Sequence, residues 1–175
     1  MSKKAIIVIG GGGHAAVLVS SLERLGRNII GLTDIRKPKG GKVLGIKFLG
    51  TDEEVHSYDR QQVVLVNGIG AVVKSSVRQE CARRMRSAGF QFDTVIDPTA
   101  VIALEVNIKG GVQVLAGAII QPRVSLGQDT IVNTGARIDH DCMIGSDCHI
   151  CPGAVLAGEV TVGDGGFIGT GAIVG

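Results

Sequence analysis

The sequence predicts two domains of different fold classes. Residues 1–96 are expected to form a small Rossmann-like α/β domain, and residues 97–175 a parallel β-helix of hexapeptide repeats. Three observations predict this fold: a β-branched run leads into four consecutive glycines, strand-like and helix-like segments alternate up to residue 96, and aliphatic residues then recur every six positions. With 175 residues the chain is long enough for two small domains.

The composition is that of a folded chain without a strongly charged surface. Apolar residues make up 45% of the chain and the formal net charge is +2, which excludes a disordered chain and gives no basic field for nucleic acid. Glycine occurs at 27 positions, whereas there are four Phe, one Tyr and no Trp. The core is therefore expected to consist of small and branched aliphatic side chains.

The four cysteines and the N-terminal segment bear on the cellular location. A chain of this size with Cys81, Cys142, Cys148 and Cys151 is expected to keep its thiols reduced. The uncharged segment 5–22 could imitate a signal peptide or a membrane span, but the run of glycines interrupts it and leaves an apolar core that is too short. We therefore predict a cytoplasmic protein with no membrane span and no nucleic-acid partner.

The first domain is predicted as a βαβαβ succession. The β-branched run Lys4–Ile9 predicts a buried parallel strand, and after the glycines Ala15–Leu25 predicts a helix that Gly26 can terminate. The later predicted elements are a strand at Asn28–Thr33, a loop at Ile35–Gly45, a helical turn opened by a capping box at Thr51–Glu54, a strand at Gln62–Val66, a helix at Lys74–Ala88 and a strand at Phe92–Ile96. This order predicts a doubly wound sheet with helices over it.

A six-residue period begins after Asp97. Counted in steps of six from Ile102 to Val174, 13 consecutive positions hold Ile, Val or Leu, and a small or modest residue lies two positions before each. This pattern predicts a parallel β-helix in which three hexapeptides complete a coil and the aliphatic side chains stack inside it. Glycines follow the stacked residue at positions 127, 145 and 163, so one corner is expected to carry a glycine ladder that relieves tight backbone geometry.

His140 is the best candidate for a general base in the repeats. It comes two positions after the stacked Ile138, so its side chain is expected to project from a corner turn. Asp139 and Asp141 flank it, and a carboxylate on the far ring nitrogen would fix the tautomer of the imidazole. The alternative is a solvated turn, in which His and Asp are common. His149 points outward from a flat face, where it makes a subunit contact or has no role.

The glycine run at the start of the chain predicts a phosphate-binding loop, because it follows a strand and opens a helix. Gly10, Gly12 and Ala15 fit only the relaxed form of the dinucleotide fingerprint. Asp34 ends the second strand, where an acidic residue can accept a hydrogen bond from a ribose or a base. The segment 67–70 ends the next strand at the same sheet edge. The alternative at each position is a structural tight turn.

Metal binding is not expected in the repeats. Cys142 and Cys148 occupy inward positions that require a small apolar residue, which disfavours a zinc site with His149 and Cys151. A β-helical carbonic anhydrase would need three histidine ligands, and the repeats contain only His140 and His149.

The whole chain resembles the bacterial sugar acyltransferases of the NeuD/PglD type. The segments that carry the resemblance are Ile9-Gly-Gly-Gly-Gly-His14, Asn133–Cys142, His149–Ala154 and Gly158–Gly163. These enzymes join a nucleotide-sugar-binding domain to a left-handed β-helix. The left hand is implied by the resemblance alone, since the general crossover rule would predict a right-handed coil.

The resemblance implies an acetyl-CoA-dependent acetyltransferase of glycan biosynthesis that acts on a nucleotide-linked amino sugar, with a 4-amino group as the expected acceptor. His140 would be the general base, oriented by Asp141 with Asp139 as the alternative, and the Gly158 N–H would face the thioester oxygen; a plain turn glycine is the alternative there. Contacts with acetyl-CoA are implied for His149, Gly158 and Thr170. Contacts with the nucleotide sugar are expected for Gly12, Gly13, His14, Ala15, Ala16, Thr33, Asp34, Gly68 and Gly70.

A homotrimer is also expected, because the flat faces of the prism carry outward apolar residues such as Val101, Val155 and Ile173. Members of the family continue for further repeats, so the chain is expected to be truncated at its C-terminus, with part of the acetyl-CoA site missing. Two alternatives follow: a sugar O-acetyltransferase of the sialic-acid type, and a non-catalytic protein for nucleotide-sugar binding or assembly.

Overall fold

The computed structural model describes residues 4–71 and 76–175, which form two compact units, Met1–Asp93 and Thr94–Gly175. The elements of the first unit are β1 (Ala5–Ile9), α1 (Gly13–Arg24), β2 (Ile29–Thr33), β3 (Lys42–Val43), β4 (Ile46–Gly50), β5 (Val63–Asn67) and α2 (Val77–Ser87). The strands form one sheet in the order β3-β4-β2-β1-β5, in which β3 is antiparallel to β4 and the other pairs are parallel.

The sheet order produces a switch point at the carboxyl end of β1. The chain leaves β1 through α1 toward β2 on one side and returns to β5 on the other, which is where open α/β sheets bind ligands. Gly10 has φ +97°, and a β-carbon there would lie 3.1 Å from the Gly68 carbonyl carbon. The two strand ends therefore approach so closely that both positions require glycine.

The core of the first unit is aliphatic, as expected from the composition. The β1 run is buried on both faces of the sheet, and Ile7, Ile9 and Leu65 pack with Met85 of α2. Parallel strands covered on both faces bury every residue, so such strands appear in a sequence as continuous apolar runs.

The predicted elements of the first unit differ from the structure in four details. The strands β3 and β4 form a hairpin, in which β3 lies within the predicted loop at Ile35–Gly45 and β4 directly follows it. Thr51 precedes a 3-10 turn at Asp52–Ser57, but its hydroxyl forms no capping hydrogen bond. The helix α2 begins at Val77, and the predicted start at Lys74 lies outside the described residues. The predicted strand Phe92–Ile96 is divided: Phe92 bridges to Leu65 in the first unit, and Val95–Ile96 pairs with Gln113–Val114 in the second.

The second unit is a left-handed parallel β-helix of hexapeptide repeats, as predicted. Its strands are β6 (Val95–Ile96), β7 (Val101–Ile102), β8 (Asn107–Ile108), β9 (Gln113–Val114), β10 (Ile119–Ile120), β11 (Ser125–Leu126), β12 (Ile131–Val132), β13 (Arg137–Ile138), β14 (Met143–Ile144), β15 (His149–Ile150), β16 (Val155–Leu156), β17 (Thr161–Val162), β18 (Phe167–Ile168) and β19 (Ile173–Val174). Each strand pairs with the strand 18 residues away, for example Ile120 with Ile138.

These strands form the three faces of the prism. The first face contains β7, β10, β13, β16 and β19, the second β8, β11, β14 and β17, and the third β6, β9, β12, β15 and β18. The second residue of each strand points inward, so that Ile120, Ile138 and Leu156 stack with at most 1% of their surface exposed. The chain passes from the first face to the second, then to the third and back to the first.

The corners of the β-helix differ in their backbone chemistry. One residue with positive φ occurs in each turn, at six-residue spacing from Glu105 to Gly171. The corner between the third and first faces has glycine at these positions, namely Gly117, Gly135, Gly153 and Gly171. The corner between the first and second faces, called the charged corner below, has Glu105, Arg123, Asp141 and Glu159, with φ of 60–65°. An L-residue in this conformation costs about 1–2 kcal/mol, so this corner keeps its side chains against a backbone preference.

The predicted glycine ladder lies at the corner between the second and third faces. A β-carbon at Gly127 would lie 2.3 Å from the Gly145 carbonyl carbon, and one at Gly145 would lie 2.6 Å from the Asp164 nitrogen. The close approach of adjacent coils requires glycine at positions 127 and 145, whereas a β-carbon at Gly163 would meet nothing within 4 Å. None of the three has φ in the left-handed region.

Candidate active site

The His140 side chain projects from the charged corner, where half of its surface is exposed. Its Nδ1 lies 2.7 Å from Oδ2 of Asp141. Because a carboxylate is only an acceptor, this contact assigns the proton to Nδ1 and leaves the Nε2 lone pair available. The ring therefore has the tautomer that a general base needs.

Asp141 is shared between His140 and an arginine of the preceding coil. Arg123 donates from Nε to Oδ1 at 2.6 Å and from Nη2 to Oδ2 at 2.7 Å, which is a bidentate pair. Hydrogen bonds from Arg123, and secondly from His140, lower the pKa of Asp141 to about 2. The carboxylate is thus ionised throughout the neutral range.

The other candidate carboxylate, Asp139, has a different role. Its Oδ1 accepts the backbone N–H of His140 at 2.8 Å, so it fixes the turn. Of the two flanking carboxylates, Asp141 therefore contacts the imidazole.

Gly158 lies one coil beyond His140 at the same corner and packs under the ring. A β-carbon at Gly158 would lie 2.7 Å from Cε1 and 2.8 Å from Nε2 of His140. The next residue, Glu159, donates its backbone N–H to the His140 carbonyl at 2.9 Å. The position of the ring therefore depends on the absence of a side chain at Gly158.

The remaining predicted residues of the β-helix lie away from this corner. His149 is on the third face, opposite the charged corner; its Nε2 lies 2.9 Å from the Asn133 amide nitrogen, and its ring meets Phe167 edge to face at 5.2 Å. Thr170 is exposed at the corner between the third and first faces. A single copy of the β-helix thus brings together His140, Asp141, Asp139 and Gly158, but neither His149 nor Thr170.

A cleft of about 330 Å³ opens at the switch point of the first unit. It is lined by Gly10, Gly12, Gly13, His14, Asp34, Ile35, Asp52, Gly68, Ile69, Gly70 and Val77. Six of the predicted nucleotide-sugar residues are among these. The other three are not: Ala15 and Thr33 are buried, and Ala16 belongs to the first turn of α1.

The start of α1 and the Asp34 carboxylate give the cleft its polarity. Gly12 is the N-cap of α1, and backbone N–H groups at a helix start favour an anionic ligand. Asp34 accepts the backbone N–H groups of Gly11 at 2.6 Å and Arg36 at 3.0 Å. The cleft therefore offers a phosphate-type site beside a carboxylate held in a fixed position.

Asp52 is a lining residue that the sequence did not indicate as functional. Its Oδ1 accepts the Thr33 hydroxyl at 2.8 Å, and its Oδ2 accepts from Arg84 at 2.8 Å. In the sequence Asp52 belongs to an apparent capping box, so the pattern indicates a structural residue and gives no sign of a role in the cleft. Ile35 and Val77 also line the cleft and are exposed at 82% and 57%; no sequence motif distinguishes them from ordinary surface residues.

The cysteines do not add a second reactive centre. Cys148 and Cys151 have C-x-x-C spacing, but burial raises the pKa of both thiols, whereas redox motifs lower it. Burial and the nearby Asp52 raise the pKa of Cys81 to about 11. Among residues 4–71 and 76–175, no cluster of His, Cys, Asp or Glu could hold a metal ion, and no helix is both long and apolar enough to cross a membrane.

Comparisons with known proteins find similar proteins for both units. Residues 5–85 match the PglD N-terminal domain family. The whole chain is similar to the acetyltransferase domain of PglB from Neisseria gonorrhoeae, solved in complex with acetyl coenzyme A, with 32% identity and a TM-score of 0.90. The similarity covers 98% of this chain and 82% of that chain.

Two further structures have the same architecture. A histidine-to-asparagine variant of perosamine N-acetyltransferase from Caulobacter crescentus, in complex with CoA and GDP-perosamine, is 29% identical with a TM-score of 0.82, covering 99% of this chain and 92% of that one. WeeI from Acinetobacter baumannii is 22% identical with a TM-score of 0.84, over 99% and 81% of the two chains, and supports the fold alone. No curated protein sequence matches the chain.

Proposed function

The chain belongs to the NeuD/PglD-type family of sugar acetyltransferases, and from this premise we propose that it transfers the acetyl group of acetyl-CoA to an amino group of a nucleotide-linked sugar. The observation that carries the proposal is the His140–Asp141 pair, held over Gly158 at the charged corner. Acyl transfer between two bound substrates needs a positioned base and a donor for the oxyanion, and the residues of this corner would supply both.

The proposed mechanism is direct transfer without a covalent enzyme intermediate. The sugar amine attacks the thioester carbonyl, and Nε2 of His140 takes the proton that the nitrogen loses as the C–N bond forms. The tetrahedral intermediate then collapses, the C–S bond breaks, and the imidazolium returns its proton to the leaving CoA sulfur. Asp141 stabilises the imidazolium, and the Gly158 N–H is the proposed donor to the oxyanion.

The amino acceptor is preferred over a hydroxyl. Relatives of this chain include an N-acetyltransferase solved with a GDP-linked amino sugar, and a neutral amine is a stronger nucleophile than an alcohol. The proposed acceptor is a 4-amino group, with O-acetylation of a sugar as the second candidate within this class.

The proposed nucleotide site is the cleft at the switch point of the first unit. The start of α1, with Gly12, Gly13 and His14, would bind the diphosphate. Two backbone N–H groups hold the Asp34 carboxylate in place, and this carboxylate would accept a hydrogen bond from the nucleoside. Gly68 and Gly70 line the same cleft as these residues, which supports one continuous ligand site.

Acetyl-CoA is the proposed co-substrate, and the proposed assembly is a homotrimer. His149 lies on the face opposite the charged corner, so contact of both His149 and His140 with one acetyl-CoA molecule requires a second copy. The outward column of the first face consists of Val101, Ile119, Arg137, Val155 and Ile173, with Val101 and Ile173 exposed at 58% and 84%. Packing these faces would bury the four apolar members and form shared clefts.

The proposal is tested by incubating the chain with acetyl-CoA and a panel of UDP-, GDP- and dTDP-linked amino sugars. We expect release of CoA with at least one sugar, together with a product heavier by one acetyl group. Thermal shifts with the same panel report binding independently. Tight binding of a nucleotide sugar without CoA release would favour a non-catalytic binding protein, the alternative that the sequence left open.

A further inference from the structure

We infer that Arg123 is a positioning residue for the acetyl transfer: it holds the Asp141 carboxylate in the orientation that fixes the His140 ring over Gly158. The inference rests on the proposed function and adds a residue that no sequence motif indicates. Arg123 precedes Asp141 by 18 residues, so it lies one coil away at the same corner.

The geometry of the pair supports this role. Both carboxylate oxygens accept from Arg123, and Oδ2 also accepts from the His140 ring. The planar guanidinium fixes the plane of the carboxylate, which a lysine ammonium cannot do. Because Asp141 lies between the two side chains, its rotation would move the imidazole.

The backbone gives an independent argument. Arg123 has φ +61°, a conformation that favours glycine, and the corner between the third and first faces has glycine at every equivalent position. Asp129 and Asp147 have this conformation at the remaining corner, but Asp tolerates it more readily than Arg. An arginine retained there against the backbone preference indicates a role for its side chain. Because His140 projects from the same corner, we assign this role to the positioning of Asp141 and of the His140 ring.

The test uses Arg123→Gly, Arg123→Met and Arg123→Lys, with Lys109→Met as a control that removes one exposed charge elsewhere on the β-helix. We expect kcat to fall roughly tenfold in the glycine and methionine variants, a part of the 10²–10⁴-fold effect of a general base, with KM within about twofold. Arg123→Lys should restore only part of kcat, because an ammonium cannot fix the plane of the carboxylate, and Lys109→Met should match the wild type.

The glycine variant separates positioning from folding. Because glycine suits φ +61°, Arg123→Gly should melt at the same temperature as the wild type or higher, while its kcat falls. Unchanged kcat in this variant would overturn the inference.

A second readout does not depend on acetyl transfer. The His140 ring nitrogen signals, assigned by their loss in His140→Asn, can be compared by NMR in the wild type and in Arg123→Gly without substrates. Loss of the preference for the Nδ1–H tautomer in Arg123→Gly supports the inference even if no acetyl acceptor is found. Unchanged ring signals contradict it even if the chain proves to be an active acetyltransferase.

Discussion

At the charged corner, three neighbours constrain the His140 side chain in different ways. Asp141 binds its Nδ1, Gly158 leaves room for its ring, and Asp139 holds the backbone N–H of the turn. The first contact sets the tautomer, the second sets the position of Nε2, and the third sets the direction of the Cα–Cβ bond. Each can be altered separately, which makes the corner suitable for mutational tests.

Gly158→Ala tests the fit of the ring. A methyl group there would lie within 2.8 Å of Nε2, so the imidazole must move, and we expect kcat to fall roughly 10²-fold, as for a misplaced catalytic group. Gly110→Ala is the matched control: it occupies the same position in its hexapeptide, and its β-carbon meets nothing within 4 Å. Steady-state kinetics on both variants checks this, and equal rates would contradict the stacking of His140 on Gly158.

Asp141→Asn tests the assignment of the tautomer. Asn tolerates the left-handed conformation, and it removes the charge while keeping the shape. We expect kcat to fall by roughly 10²-fold or more, because the amide no longer selects the Nδ1–H form. Asp139→Asn should cost less than about tenfold. If the two variants ranked in the opposite order, Asp139 would be the orienting carboxylate.

The pKa of Asp141 also predicts the pH dependence of stability. Its pKa in the folded chain, about 2, is below the ordinary 3.8, so its contribution is present above pH 3.8 and is lost as the pH falls through 2. We therefore expect the wild type to lose stability relative to Asp141→Asn between about pH 4 and pH 2. Melting temperatures of both proteins at pH 6, 4 and 2 check this; a constant difference would contradict it.

At the scale of elements, the glycine ladder is the feature on which the stacking of coils most clearly depends. Gly127→Ala places a methyl group 2.3 Å from the backbone of the next coil, and overpacking of this kind typically costs about 1–3 kcal/mol. Gly163→Ala is the control, because its β-carbon meets nothing within 4 Å in this chain. Urea unfolding of the two variants checks the difference, and equal midpoints would show that the coils can separate without cost.

The sequence predicts some structural elements and functional residues and misses others. The six-residue period predicted the β-helix because its inward positions repeat without interruption. The β3–β4 hairpin was missed, since its short strands lie among Gly, Lys and Pro residues that resemble a loop. His140 was found because it is a titratable residue in a corner turn. Arg123 was not, since its partner is 18 residues away and its positive φ cannot be seen in a sequence.

The whole molecule consists of two units, each with a candidate site. The first has a cleft at a switch point, and the second has a charged corner with the candidate base. The acetyltransferase domain of PglB from Neisseria gonorrhoeae is similar to this chain over both units. The comparisons therefore show the family and the fold, and the proposed choice of nucleotide sugar rests on side chains of the cleft such as Asp34 and Asp52.

Val155→Lys tests the proposed trimer. The substitution puts a second positive charge beside Arg137 in the outward column of the first face, so we expect dissociation to monomers, because like charges repel and a buried charge without a partner is costly. Met143→Lys, also outward but on the second face and exposed at 62%, should leave the assembly unchanged. Sedimentation of the wild type and both variants decides this. A monomeric wild type, or a trimeric Val155→Lys, would contradict the proposed interface.

The most direct test of the central claim is a comparison of His140→Ala with the wild type in the same acetyl-transfer assay, with nucleotide-sugar binding measured on both proteins. If His140 is the general base, CoA release should fall roughly 10²–10⁴-fold, while the dissociation constant of the nucleotide sugar stays within about twofold. Turnover that survives the substitution would contradict the account, because the charged corner would then not be the site of acetyl transfer.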